Sequence, residues 1–116
     1  MLKKIPGFSR YYADTIGNIY STKWNKVKKL KPRRKKNENR NKYLEVDLKK
    51  NKKTFYRRVH RLILETFIGK RPKGKECRHL NDNKIDNRLK NLRWGTRKEN
   101  FQDRLSNFGK MKYYNH

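Results

Sequence analysis

Cys77-Arg78-His79-Leu80-Asn81-Asp82-Asn83-Lys84-Ile85-Asp86-Asn87-Arg88-Leu89-Lys90-Asn91-Leu92-Arg93-Trp94-Gly95-Thr96-Arg97-Lys98-Glu99-Asn100 is the stretch on which the fold turns. It opens with a short extended run at 77–80 and passes into a polar loop at 81–87, rich in residues that bond their own backbone. A second extended run follows at 92–94. Thr96 and Glu99 then stand in the spacing of a capping box, each side chain reaching the backbone N–H of the other. The helix they start carries Phe101, Leu105 and Phe108 as an apolar stripe, and Gly109 is expected to close it. Packed back across the strand pair, such a helix places the imidazole of His79 and the amide of Asn100 around one point. Phosphodiester hydrolysis suits that pair. A neutral histidine activates water as general base, and a hard divalent cation held by oxygen ligands stabilises the charge on phosphate and leaving oxygen.

Working outward, Val59, Leu62, Ile63 and Phe67 recur at helical spacing and predict a helix over 59–68, stopped by Gly69. A basic loop, Gly69-Lys70-Arg71-Pro72-Lys73-Gly74-Lys75, joins it to the strand. Upstream, Leu44, Val46 and Leu48 alternate with Glu45 and Asp47. A polar turn over 49–53 then leads to a second run at 54–59, which reads as a hairpin. Residues 8–21 form another hairpin candidate around Gly17-Asn18. Between the hairpins, 23–42 is dominated by lysine and arginine and has almost nothing apolar after Leu30. The expectation is a mobile loop that an anion would neutralise.

Composition sets the class of partner. The chain has 116 residues, with 35 Lys+Arg against 10 Asp+Glu, a formal net charge of +25. An ordinary metabolic enzyme has no use for such a field, whereas a polyanion does, and nucleic acid comes first. No apolar run is long enough to span a membrane, and the N-terminal lysines are followed by no signal-type apolar stretch. Cys77 is alone, so neither a disulfide framework nor a cysteine-built zinc site is expected.

Val59-His60-Arg61-Leu62-Ile63-Leu64-Glu65-Thr66-Phe67-Ile68, the 77–96 stretch, Glu99-Asn100 and Asp103, in that order, resemble the HNH endonuclease family. Within it the resemblance is to the phage and intron-encoded homing endonucleases. Ile5-Pro6-Gly7-Phe8, Tyr12, Gly17 and Tyr20-Ser21 resemble the DNA-contacting segment that often precedes this module. The resemblance implies an α+β fold, an N-terminal β-hairpin region followed by a C-terminal ββα-metal module. It divides the chain into a β-rich DNA-binding segment, 1–58, and a nuclease module, 59–116. It further implies a metal-dependent DNA endonuclease that nicks, of homing or free-standing phage type, with Mg²⁺ or Mn²⁺ as its ion. In that scheme His79 is the general base. Asn91 braces the loop through backbone hydrogen bonds, and Asn100 ligates the metal. Arg78 departs from the pattern, since some members carry an aspartate there as a second ligand. Either Asp103, one turn beyond Asn100, helps hold the ion, or the ion leans on phosphate and water while Arg78 grips the scissile phosphate.

Arg33, Arg34, Lys35, Lys36, Arg57, Arg58, Arg78, Arg93 and Arg97 are read as nucleic-acid contacts. The expected partner is double-stranded DNA, met by a monomer or transient dimer, with no membrane and no small-molecule substrate. The expected compartment is the cytoplasm of a prokaryotic or phage-infected cell, or the nucleus in a eukaryotic or viral setting. His60 reads as a core or capping histidine, Asn83 and Asn87 as loop-shaping residues, Trp94 as core, and Cys77 as a small buried residue. The rival reading is a basic nucleic-acid-binding protein, DNA-architectural or ribosome-associated, that keeps this fold without the reaction.

Overall fold

The computed structural model describes residues 2–34 and 43–114, with side chains to residue 107. The fold is α+β: strands fill the first half and the helices come after them. Four antiparallel strands, β1 (Lys3–Ile5), β2 (Phe8–Ala13), β3 (Ile19–Lys23) and β4 (Lys26–Lys29), form one sheet in that order. A hairpin of β5 (Glu45–Lys50) and β6 (Lys53–Arg58) follows, then helix α1 (Val59–Phe67). The last unit is strand β7 (Glu76–His79), a single 3₁₀ turn (Leu89–Asn91), strand β8 (Leu92–Gly95) and helix α2 (Arg97–Tyr114).

Local chemistry explains most of these boundaries. Val46 and Leu48 turn inward from β5 while Asp47 between them and Lys49 after them are more open, the alternation of a half-buried strand, although Glu45, expected on the outer face, is buried as well. Asn51 and Lys52 both take positive φ, 51° and 63°, as the tight turn of a two-residue hairpin requires. Thr96 Oγ1 accepts the Glu99 N–H at 3.1 Å and Glu99 Oε1 accepts the Thr96 N–H at 2.9 Å, so the capping box is formed. Asp14 organises the β2–β3 turn by accepting from the N–H groups of Ile16 and Asn18, the Asn18 amide and the Tyr20 hydroxyl.

Three sequence expectations need correction. The basic run 23–42 is not loop from its start. Lys26–Lys29 pairs with β3 from Lys23↔Lys26 to Tyr20↔Lys29, an exposed edge strand held by its register and not by burial. The remainder of that run, 35–42, with Lys35 and Lys36, lies outside the described residues. Helix α2 runs through Gly109 to Tyr114, because one glycine costs only about 1 kcal/mol in a helix and good helix formers flank it. Phe101 and Leu105 are each 50% exposed, so the stripe they belong to is not a core face.

One hydrophobic cluster runs through the molecule. Ile5, Ala13 and Ile19 from the first sheet, Val46 and Leu48 from β5, Val59, Leu62, Ile63 and Leu64 from α1, and Leu92 from β8 are all buried together. Helix α1 sits at its centre, and each of its leucines and isoleucines contributes about 1.5–3 kcal/mol by leaving water. The core is continuous across residue 58. No helix among the described residues is long and apolar enough to cross a membrane.

Candidate active site

Strand β7 alternates, and its two faces see different worlds. Cys77 and His79 point into the interior, 8% and 4% exposed, whereas Glu76 and Arg78 point towards α2. Burial pushes the Cys77 thiol up to about 12, so it stays an inert thiol.

His79 ends the strand on the inner face. Its Nε2 lies 2.9 Å from Asn87 Oδ1. Donation of the Nε2 proton to that oxygen selects the tautomer in which Nδ1 carries the basic lone pair. Burial holds the imidazole below its ordinary pKa of 6.5, against an opposing pull from the Asn87 bond, so the ring is neutral at pH 7. The rings of His60 and Tyr43 pack against it with centroids at 5.0 and 5.7 Å. His60 is 4% exposed with its Nδ1 unpartnered, and burial drives it down to about 2, with the neighbouring His79 adding to the effect. The guanidinium of Arg58 covers Tyr43 at 5.0 Å.

Asn91 ties down the loop that carries Asn87. Its Oδ1 accepts the Asn81 N–H at 3.0 Å, and its Nδ2 donates to Asn81 Oδ1 and to the Asp86 carbonyl, each at 2.9 Å. Arg88 grips Asp86 with two bonds of 2.8 and 2.7 Å, which together with the Asn81 amide hold that carboxyl down at about 2. The same loop leans on the first sheet. The Leu89 N–H donates to the Thr15 carbonyl at 2.9 Å, and a Cβ on Gly17 would stand 2.7 Å from the Asn87 carbonyl oxygen. Asp14, Gly17 and Tyr43 thus support His79 from outside its own motif, and Asn87 from within it. Gly17 and Asn87 were visible in sequence only as turn residues, because nothing local announces a contact seventy positions away.

The outer face of β7 is ionic. Arg78 makes a two-pronged bond to Asp103, Nε to Oδ2 at 2.8 Å and Nη2 to Oδ1 at 2.9 Å, and Nη1 reaches Glu99 at 3.3 Å. Its stem crosses Gly95, where any Cβ would collide with it. Asn100 Nδ2 donates to Glu76 Oε1 at 2.7 Å, and Asn107 Nδ2 donates to the Leu80 carbonyl at 2.9 Å. Helix α2 therefore docks through its polar residues. His79 bonds Asn87 while Asn100 bonds Glu76 of the same strand, and both oxygens of Asp103 are already committed to Arg78. Among the described residues no group of three or more histidine, cysteine or acidic side chains converges as a metal cage.

The cationic candidates divide the same way. Arg33 pairs with Asp47 at 2.8 Å, and Arg93 donates to the Leu92 and Leu89 carbonyls. Arg34, Arg57 and Arg97 are exposed, Arg57 lying over the Phe55 ring at 5.1 Å.

Comparison with known proteins bears on this geometry. Residues 57–102 match the family model of the HNH endonucleases. Two uncharacterized HNH endonucleases of Acanthamoeba polyphaga mimivirus are each 34% identical to the chain, over 110 and 107 residues. Each match covers 90% of this chain but only 26% and 30% of the relative, so the chain spans under a third of their length. A solved structure describing DNA binding and cleavage by the HNH homing endonuclease I-HmuI superposes with a TM-score of 0.77 at 32% identity. It covers 91% of this chain and 58% of that one.

Proposed function

We propose that a chain whose residues 57–102 are an HNH endonuclease module uses that module to hydrolyse phosphodiester bonds in double-stranded DNA, with His79 as general base. One observation carries the reading: a buried, neutral imidazole whose Nε2 is fixed by Asn87, leaving Nδ1 to take a proton from water. Asn87, held by the loop that Asn91 braces, sets the tautomer. The ring packing of His60 and Tyr43 sets its orientation. With a net charge of +25, the chain holds phosphates without reading sequence. Six to eight such contacts give a log–log salt slope of roughly −5 to −7.

HNH chemistry calls for a hard divalent cation, Mg²⁺ or Mn²⁺, which when bound stabilises charge on the phosphate and its leaving oxygen. Asn100 fits this role, because among the described residues its side chain bonds through Nδ2, to Glu76, and its amide oxygen remains for a hard ion alongside DNA phosphates. Asp103 does not fit it, and Arg78, clamped by two carboxylates, is not the phosphate grip. One site per chain makes the expected product a nick.

Conversion of supercoiled plasmid to open circle in Mg²⁺ or Mn²⁺, beside EDTA and His79→Ala, tests this. Nicking should vanish with EDTA and fall by about 10²–10⁴-fold in the variant. Full DNA binding without nicking in any metal would instead make the chain a binder on an HNH scaffold, the role that the Arg78 clamp favours.

A further inference from the structure

Two cations meet on one ring beside the proposed base. The Arg58 guanidinium lies 5.0 Å from the centroid of Tyr43, and the Lys84 ammonium lies 5.3 Å from it. That ring in turn packs on His79 and His60. Both cationic side chains are half-buried, and among the described residues neither forms an ion pair. Arg78 and Arg88, by contrast, each find a carboxylate. A cation over a ring gains only about 0.5–2 kcal/mol, and two like charges drawn to the same ring repel. Folding therefore leaves this pair short of an anion.

Position names the anion. Lys84 sits on a fixed loop, in which Asn81 Oδ1 accepts the Asn83 N–H at 2.9 Å and Asn83 Oδ1 the Ile85 N–H at 3.3 Å. Its charge reaches the imidazole: beyond burial, Lys84 pushes the His79 pKa down, against the pull of Asn87, Asp86 and Asp82. Asp86 is itself occupied by Arg88 and Asn81. An anion drawn to the two cations stands next to the group that activates water, where the phosphorus under attack must lie. Resting on the nuclease reading above, we propose that Lys84 is a catalytic residue. Its ammonium, with the Arg58 guanidinium beside it, holds a non-bridging oxygen of the scissile phosphodiester. It takes the place that Arg78, clamped to Asp103, leaves open. Water gives its proton to His79 and its oxygen bonds to phosphorus as the bond to the leaving oxygen breaks. Charge on the non-bridging oxygens grows on the way, and a fixed cation there favours the transition state over bound DNA.

The test is single-turnover nicking of supercoiled plasmid in Mg²⁺ or Mn²⁺, with the intact chain in saturating excess, beside duplex affinity and thermal melting. Lys84→Gln should slow nicking at saturation by about 10²–10³-fold. Its salt slope of binding should change by no more than about 1, since one phosphate contact of several is lost. Its melting temperature should hold, and Lys84→Arg, which keeps the charge, should recover most of the rate. Unchanged nicking at saturation, whatever happens to affinity, would overturn the proposal and leave the nuclease reading intact. A loss that tracks a fall in melting temperature and that arginine does not recover would make Lys84 structural, and would overturn it too. A parent chain that nicks in neither metal would overturn both readings.

Discussion

The two faces of β7 divide the work of the module between neighbouring residues. On the inner face His79 is neutral, nearly dry and packed among rings. On the outer face Arg78 is charged and fixed by two carboxylates of α2. In the function proposed above, one face prepares a base, and the other fastens a helix. Each depends on a glycine from elsewhere, Gly17 against the Asn87 backbone and Gly95 beneath the Arg78 stem. The lesson is that adjacency in a signature does not make two residues one site, because strand alternation sends them in opposite directions.

Alanine at each of those glycines separates the faces most sharply. At Gly17 the φ of 104° and the backbone of Asn87 both oppose a Cβ, and a backbone neighbour cannot swing aside. Gly17→Ala should cost about 2–4 kcal/mol and depress nicking through the displaced Asn87. At Gly95 the obstacle is a flexible stem. Gly95→Ala should cost about 1–3 kcal/mol by breaking the Arg78 bonds to Asp103, and should depress nicking less than Gly17→Ala does, through Asn100 on the loosened helix. Urea melts paired with plasmid nicking measure both. Equal effects of the two variants on nicking would erase the distinction between the faces.

Acid should attack the inner face first. His60 has an ordinary pKa of 6.5 when unfolded and about 2 in the fold, so between those values the unfolded chain binds the extra proton. Its contribution is therefore complete above about pH 6.5 and is lost as pH falls, at about 1.4 kcal/mol per pH unit. By pH 4.5 this histidine alone costs about 2–3 kcal/mol. His79, also lowered by burial, adds in the same direction and places the acid limb of nicking below the ordinary 6.5. Urea melts at pH 7 and 4.5 should show a shallower loss in His60→Phe, and an unchanged loss would place the acid-sensitive group elsewhere.

Much of this architecture was legible because it is local. The capping box at Thr96, the alternation around Val46 and the spacing of Leu62 and Ile63 each involve residues within a turn or two of one another. What escaped reading was long-range or ran against pattern. Strand β4 is written almost wholly in lysine and valine that stay exposed, so only its pairing with β3 reveals it. The contact of Gly17 with Asn87 joins two turns that each look self-sufficient. The partnership of Arg78 with Asp103 was hidden behind their expected roles as phosphate grip and metal ligand.

Helix α2 misled most, and it offers the finest test of the outer face. Its apolar residues suggest a buried stripe, yet Phe101 and Leu105 face solvent while Asn100, Asp103 and Asn107 make the contacts to β7 and Leu80. Phe101→Ser should then cost only about 1 kcal/mol, since half of the ring already meets water and serine and phenylalanine have similar helix propensities. Asp103→Ala, one turn along on the polar face, should cost more than that by orphaning Arg78. If denaturant melts rank the two variants the other way, α2 packs by its apolar stripe and the ionic face of β7 is not what holds it.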